Sequence, residues 1–62
     1  MTVIINYFNN SVKIFDDIIS LDGSNNEDYI LVDSLNNDIR ISRKNVEYIL
    51  VDKNEIKEEN VY

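Results

Sequence analysis

The apolar residues of this chain are mostly isoleucine, valine, tyrosine and phenylalanine, and alanine is absent altogether. Branched and aromatic side chains fit the pleated surface of a sheet and lose rotamer freedom in a helix. They recur here with a period near two, which sends alternate residues to opposite faces of a strand. The chain therefore reads as all-β. Five strands are predicted, over residues 2–8, 11–16, 28–34, 38–42 and 46–51, with Asp16-Asp17 as a bend from which 18–21 continues extended. Asn9-Asn10 and Asn36-Asn37 each sit between two apolar runs, and asparagine tolerates the positive φ that two-residue hairpin turns demand. The first turn sets Ile5 opposite Ile14 and Tyr7 opposite Val12, gathering Val3, Ile5, Tyr7, Val12 and Ile14 on one face. Phe8 and Phe15 then share the other, half-polar face. The second turn sets Asp33 opposite Arg40 and Val32 opposite Ile41, an ionic and an apolar cross-strand pair. Arg43-Lys44-Asn45 reads as a tight connection into the last strand.

Sixty-two residues make one domain at most, placed at 1–52 and followed by an acidic tail at 53–62. Asp52 and Glu55 have the spacing of a capping box, which would allow one helical turn in that tail. A chain of this length buries only about 60% of its unfolded surface. Small folds therefore lean on disulfides, metals or oligomerisation. The chain has no cysteine and no histidine, which removes disulfides and ordinary zinc sites. Apolar residues on both faces of several strands point the same way. In the last strand Val46, Tyr48 and Leu50 fall on one side, Ile49 and Val51 on the other. Such a sheet either curls into a small SH3-like or Sm-like barrel, or stays an antiparallel meander that buries a face against a second copy. Homo-oligomerisation is the expectation.

Twelve acids oppose six bases, for a net charge of −6. A protein that tracks phosphates carries the opposite sign, so direct nucleic-acid binding is disfavoured. No run approaches the ~20 apolar residues of a membrane span. Met1-Thr2-Val3-Ile4-Ile5 lacks the basic lead of a signal peptide, and a cytoplasmic location is expected.

No catalytic set, cofactor motif or metal-ligand pattern stands out. General acid–base work usually employs histidine and covalent catalysis often cysteine, and both are missing. The segment Asp22-Gly23-Ser24-Asn25-Asn26-Glu27-Asp28 has the oxygens of a Ca²⁺ loop but not the spacing of one, and reads as a solvated loop. Arg40, Arg43 and Lys44 fall within five positions and are candidates for an anion site. Charge balance, with Arg40 answering Asp33 and the others decorating a turn, is the favoured reading. Phe8 and Phe15 are candidate anchors of a protein interface. Asp16, Asp17, Glu55, Glu58 and Glu59 are the acids that would meet a basic partner.

The abundance of asparagine and isoleucine, ten each, together with the absence of alanine and proline, suits an AT-rich genome. With Tyr7-Phe8-Asn9-Asn10, Phe15-Asp16 and Asn45-Val46-Glu47-Tyr48-Ile49 in place, the chain resembles the very short β-rich proteins of phages and prophages of low-GC bacteria. The resemblance implies a non-catalytic anti-defence protein in the cytoplasm of an infected or lysogenic host. Two modes are implied: an anti-CRISPR-like inhibitor that occupies the surface of a host defence protein, or a homo-oligomeric sponge that sequesters a nucleotide signal. Ile41-Ser42-Arg43-Lys44-Asn45-Val46 is also similar to the fourth-to-fifth strand turn of Sm-like barrels. That similarity implies a third reading, a structural interaction module.

Overall fold

A computed structural model of the chain describes residues 1–53. The expected helical turn of the tail, and Glu55, Glu58 and Glu59 with it, lie outside the described residues. The chain is all-β, but with six strands in two three-stranded antiparallel sheets rather than five strands in a meander or closed barrel. The strands are β1 (Thr2–Tyr7), β2 (Val12–Phe15), β3 (Ile18–Asp22), β4 (Asp28–Asp33), β5 (Asp38–Ser42) and β6 (Val46–Asp52). One sheet has the order β2-β1-β6 and the other β3-β4-β5. The chain changes sheets twice. The first crossing is the Asp16-Asp17 bend, where Asp17 takes a left-handed φ of 59°. The second is a 3-10 turn, η1 (Arg43–Asn45), at the expected tight connection.

Backbone bonds tie the two sheets at the first crossing. The Ile18 N–H donates to the Met1 carbonyl at 3.0 Å, and the Ser34 N–H to the Asp17 carbonyl at 2.9 Å. Val3, Ile5 and Val46 of the first sheet meet Ile18, Leu31 and Ile41 of the second in one buried cluster. Met1, Tyr7, Phe15, Leu21, Tyr29, Ile39 and Ile49 pack around it, partly buried.

Both hairpins use a different turn from the one expected, and the registers move accordingly. The first connection is Phe8-Asn9-Asn10, three residues long. The Asn10 N–H donates to the Tyr7 carbonyl, the Tyr7 N–H to the Ser11 carbonyl, and Asn10 has a φ of 71°. This pattern needs only one left-handed residue, whereas the two-residue turn needs one or two. Ile5 therefore faces Lys13, Ile4 faces Ile14, and Val3 faces Phe15. A one-residue slip exchanges the faces of a whole strand: Val12 and Ile14 leave the core side and Phe15 joins it. The second connection, Ser34-Leu35-Asn36, repeats the design with Asn36 at a φ of 69°. Its register sets Ile30 opposite Arg40 and Tyr29 opposite Ile41, so the expected Asp33–Arg40 and Val32–Ile41 pairs do not form. A register shift in β6 leaves Glu47 without a counterpart on β1. It turns Val46 inward against Tyr7, away from the face that Tyr48 and Leu50 share.

Candidate functional site

Cross-strand partners share a sheet face, so the register defines both outer faces of the molecule. On the second sheet the outer rows are Asp22–Ile30–Arg40, Ser20–Val32–Asp38 and Asp28–Ser42. Three acids and a base surround two half-buried apolar residues there, and Arg40 pairs with Asp28 at 3.4 Å. This is an ordinary solvated face.

The outer face of the first sheet is different. Its rows are Ile14–Ile4–Leu50 and Val12–Asn6–Tyr48, with Thr2–Asp52 at one end. Val12, Ile14, Tyr48 and Leu50 are between 51% and 63% exposed. Six positions on three adjacent strands thus carry no charge, and five of them are apolar or aromatic. Scattered apolar residues on a surface need no explanation, but a contiguous patch marks an interaction site. On the central strand the Asn6 amide nitrogen is buried and has no hydrogen-bond partner among the described residues. At the polar end the Thr2 hydroxyl donates to Asp16 at 3.3 Å.

The candidate interface residues fall in separate places. Phe8 lies in the first hairpin's connection, 65% exposed. Phe15 packs against the core from the other end of β2, so the two rings share no face, because the register slip turned Phe15 inward. Asp16 and Asp17 are exposed at the sheet crossing. The candidate anion cluster also divides. Arg40 points out from the second sheet toward Asp28. Arg43 is used internally: it donates to the carbonyls of Gly23 and Asn25 and to the Tyr29 hydroxyl, and its guanidinium lies over the Tyr29 ring. Lys44 has no charge partner among the described residues.

The 22–28 loop is held by its own side chains and by that guanidinium. Asp22 accepts from the backbone N–H and hydroxyl of Ser24, and Asn25 accepts from the backbone N–H groups of Glu27 and Asp28. The Ser24 backbone bond, reinforced by its hydroxyl, lowers the Asp22 pKa below the usual carboxylate value. Asp33 plays the same part in the second hairpin. It accepts from the backbone of Asn37 and Leu35 and from the Asn37 amide, and the Asn37 backbone bond is the main cause of its lowered pKa. These acids serve turns. Among the described residues no group of three or more acids converges to hold a metal ion, and no helix is long and apolar enough to cross a membrane.

Two open clefts flank η1. One, of about 510 Å³, is lined by Tyr7, Phe8, Asn9, Ser11, Lys13, Lys44 and Asn45. The other, of about 460 Å³, includes Glu27, Asp28, Arg43 and Lys44. The first was not legible in the sequence, because Lys13 and Lys44 come to it from segments far apart in the chain. No protein-family model matches this chain, and no curated protein or solved structure matches it.

Proposed function

We propose that this chain is a non-catalytic binding protein that inhibits a host defence factor by covering part of its surface, as the phage-protein resemblance implies. The outer face of the first sheet is the proposed contact, and its uncharged rows Ile14–Ile4–Leu50 and Val12–Asn6–Tyr48 are the observation that carries the reading. Fully burying one such apolar side chain is worth about 1.5–3 kcal/mol. Four that are already half covered would add roughly 3–6 kcal/mol from this side of a contact. Association costs about 4–15 kcal/mol, so the apolar face needs help from its surroundings.

Charge selects the occupant. The whole chain carries −6, and a second copy would bring the same sign to the rim of the contact. A partner with a basic surface, such as a nucleic-acid-handling defence protein, would instead be attracted. Self-association through this face is the competing occupant.

The test is the plating efficiency of a sensitive phage on a defended host that expresses the chain. Wild type is expected to raise plating, and the double variant Ile14→Glu with Leu50→Lys to abolish the effect while keeping the wild-type far-ultraviolet spectrum. Full activity of the folded double variant would overturn the reading. Sedimentation of wild type as a stable dimer that the double variant dissolves would assign the face to a second copy instead.

A further inference from the structure

The cleft between the first hairpin and η1 has a chemistry unlike the rest of this acidic molecule. Its walls come from both ends of the fold and are pinned together by the Phe8 N–H, which donates to the Asn45 carbonyl at 3.1 Å. Lys13 and Lys44 both line it, and among the described residues no acid does. The other two bases near it in sequence, Arg40 and Arg43, are engaged by Asp28 and by the 22–28 loop. The two lysines have no charge partner among the described residues. Phe8 offers a largely exposed ring at the mouth. The Asn9 side-chain oxygen is occupied by Ser11, which leaves the donor end of that amide available. The cleft volume of about 510 Å³ falls in the range of small-molecule sites, about 300–1,000 Å³.

We infer that this cleft binds a small phosphorylated aromatic compound of the nucleotide class. The phosphate would be held between the Lys13 and Lys44 ammonium groups, and the base stacked on the Phe8 ring, with amide groups near its polar edge. Ammonium groups serve phosphate as mobile point charges. A flat heteroaromatic ring is the ligand part that gains most from an exposed phenylalanine. A nucleic-acid polymer is disfavoured because its further phosphates would meet the protein's net negative field. The site is separate from the outer face of the first sheet and stands or falls independently of the proposed function.

The experiment is a titration of the full, isotope-labelled chain with adenosine 5′-monophosphate, adenosine and inorganic phosphate, followed through backbone amide shifts. The monophosphate is expected to shift the amides of Phe8, Asn9, Lys44 and Asn45 saturably, with a Kd below about 1 mM. Adenosine alone and phosphate alone are each expected to bind at least about tenfold more weakly, since each lacks one of the two contacts. Phe8→Ala should weaken the monophosphate about tenfold, and Lys13→Glu with Lys44→Glu should remove binding while amides outside the cleft keep their positions. No saturable shift up to about 10 mM would overturn the inference. So would equal binding of phosphate and monophosphate, or binding that survives the double lysine reversal.

Discussion

The Arg43 guanidinium carbon lies 4.2 Å from the centre of the Tyr29 ring. From that position its nitrogens donate to the Tyr29 hydroxyl and to the carbonyls of Gly23 and Asn25. One side chain on η1 thus fastens the longest loop to the second sheet. Arg43→Ala is expected to lower unfolding stability by about 1–3 kcal/mol, from the lost stacking and the carbonyls left without a donor. Arg43→Lys should recover little of it, because an ammonium cannot stack flat and reach both carbonyls. Urea denaturation of the three proteins measures this. Unchanged midpoints in Arg43→Ala would show that the loop is held without its clamp.

The turn asparagines give a second test. Asn10 and Asn36 have φ values of 71° and 69°, a region that costs a branched residue about 1–2 kcal/mol. Asn36→Gly should leave stability nearly unchanged, and Asn36→Val should lower it by about that amount. Thermal unfolding separates the two outcomes. Equal loss in both variants would point to a role for the side chain rather than the backbone.

These turns also show what could be read from the sequence. The two asparagine hairpins, the Asp16-Asp17 bend and the η1 connection were legible, because asparagine pairs and charged breaks punctuate strongly β-forming runs; the pairing of β3 with β4 was not. Turn length was not. The Asn9-Asn10 signal fits a two-residue or a three-residue connection, and the difference of one residue decides whether Ile14 or Phe15 faces the core. The shift at Glu47 is equally silent in the sequence, yet it separates Val46 from Tyr48. The apolar excess on both faces of the first strand was visible, but which neighbours complete the outer face depends on these two details. The Arg40–Arg43–Lys44 cluster divides for a related reason. A strand end and a 3-10 turn give these neighbours different partners, Asp28 for Arg40 and the 22–28 loop for Arg43, although Arg43 and Lys44 still line the second cleft together.

Asp22 and Asp33 make the fold sensitive to acid. Both have pKa values below the usual 3.8 because backbone N–H groups, of Ser24 and of Asn37 respectively, donate to the ionised forms. A carboxylate depressed in the folded state contributes stability that is fully present above its unfolded pKa and is lost as pH falls through the folded one. Stability should therefore hold from neutral pH down to about 4 and decline below it. Asp33→Asn should flatten part of that decline while lowering stability at neutral pH. A decline of the same size in both proteins would remove Asp33 from this account.

Asn6 is placed where an apolar residue would fit better. Its buried amide nitrogen lacks a partner among the described residues, between Val12 on one side and Tyr48 on the other. Asn6→Val should raise stability by about 1 kcal/mol, since it removes an unsatisfied donor and adds a β-branched residue to the central strand. Chemical denaturation reads the change directly, and a loss of stability would mean that the amide is satisfied in solution.

The most direct test of the proposed contact is site-specific photo-crosslinking in the defended host. Tyr48 is half exposed on the apolar face, and Asp38 lies on the outer face of the other sheet. Tyr48→p-benzoylphenylalanine should form a covalent adduct with a component of the defence system, identified by mass spectrometry. Asp38→p-benzoylphenylalanine should form none. The adduct should also disappear when Ile14→Glu and Leu50→Lys are added. Adducts only with a second copy of the chain, or the same products from both positions, would contradict the account.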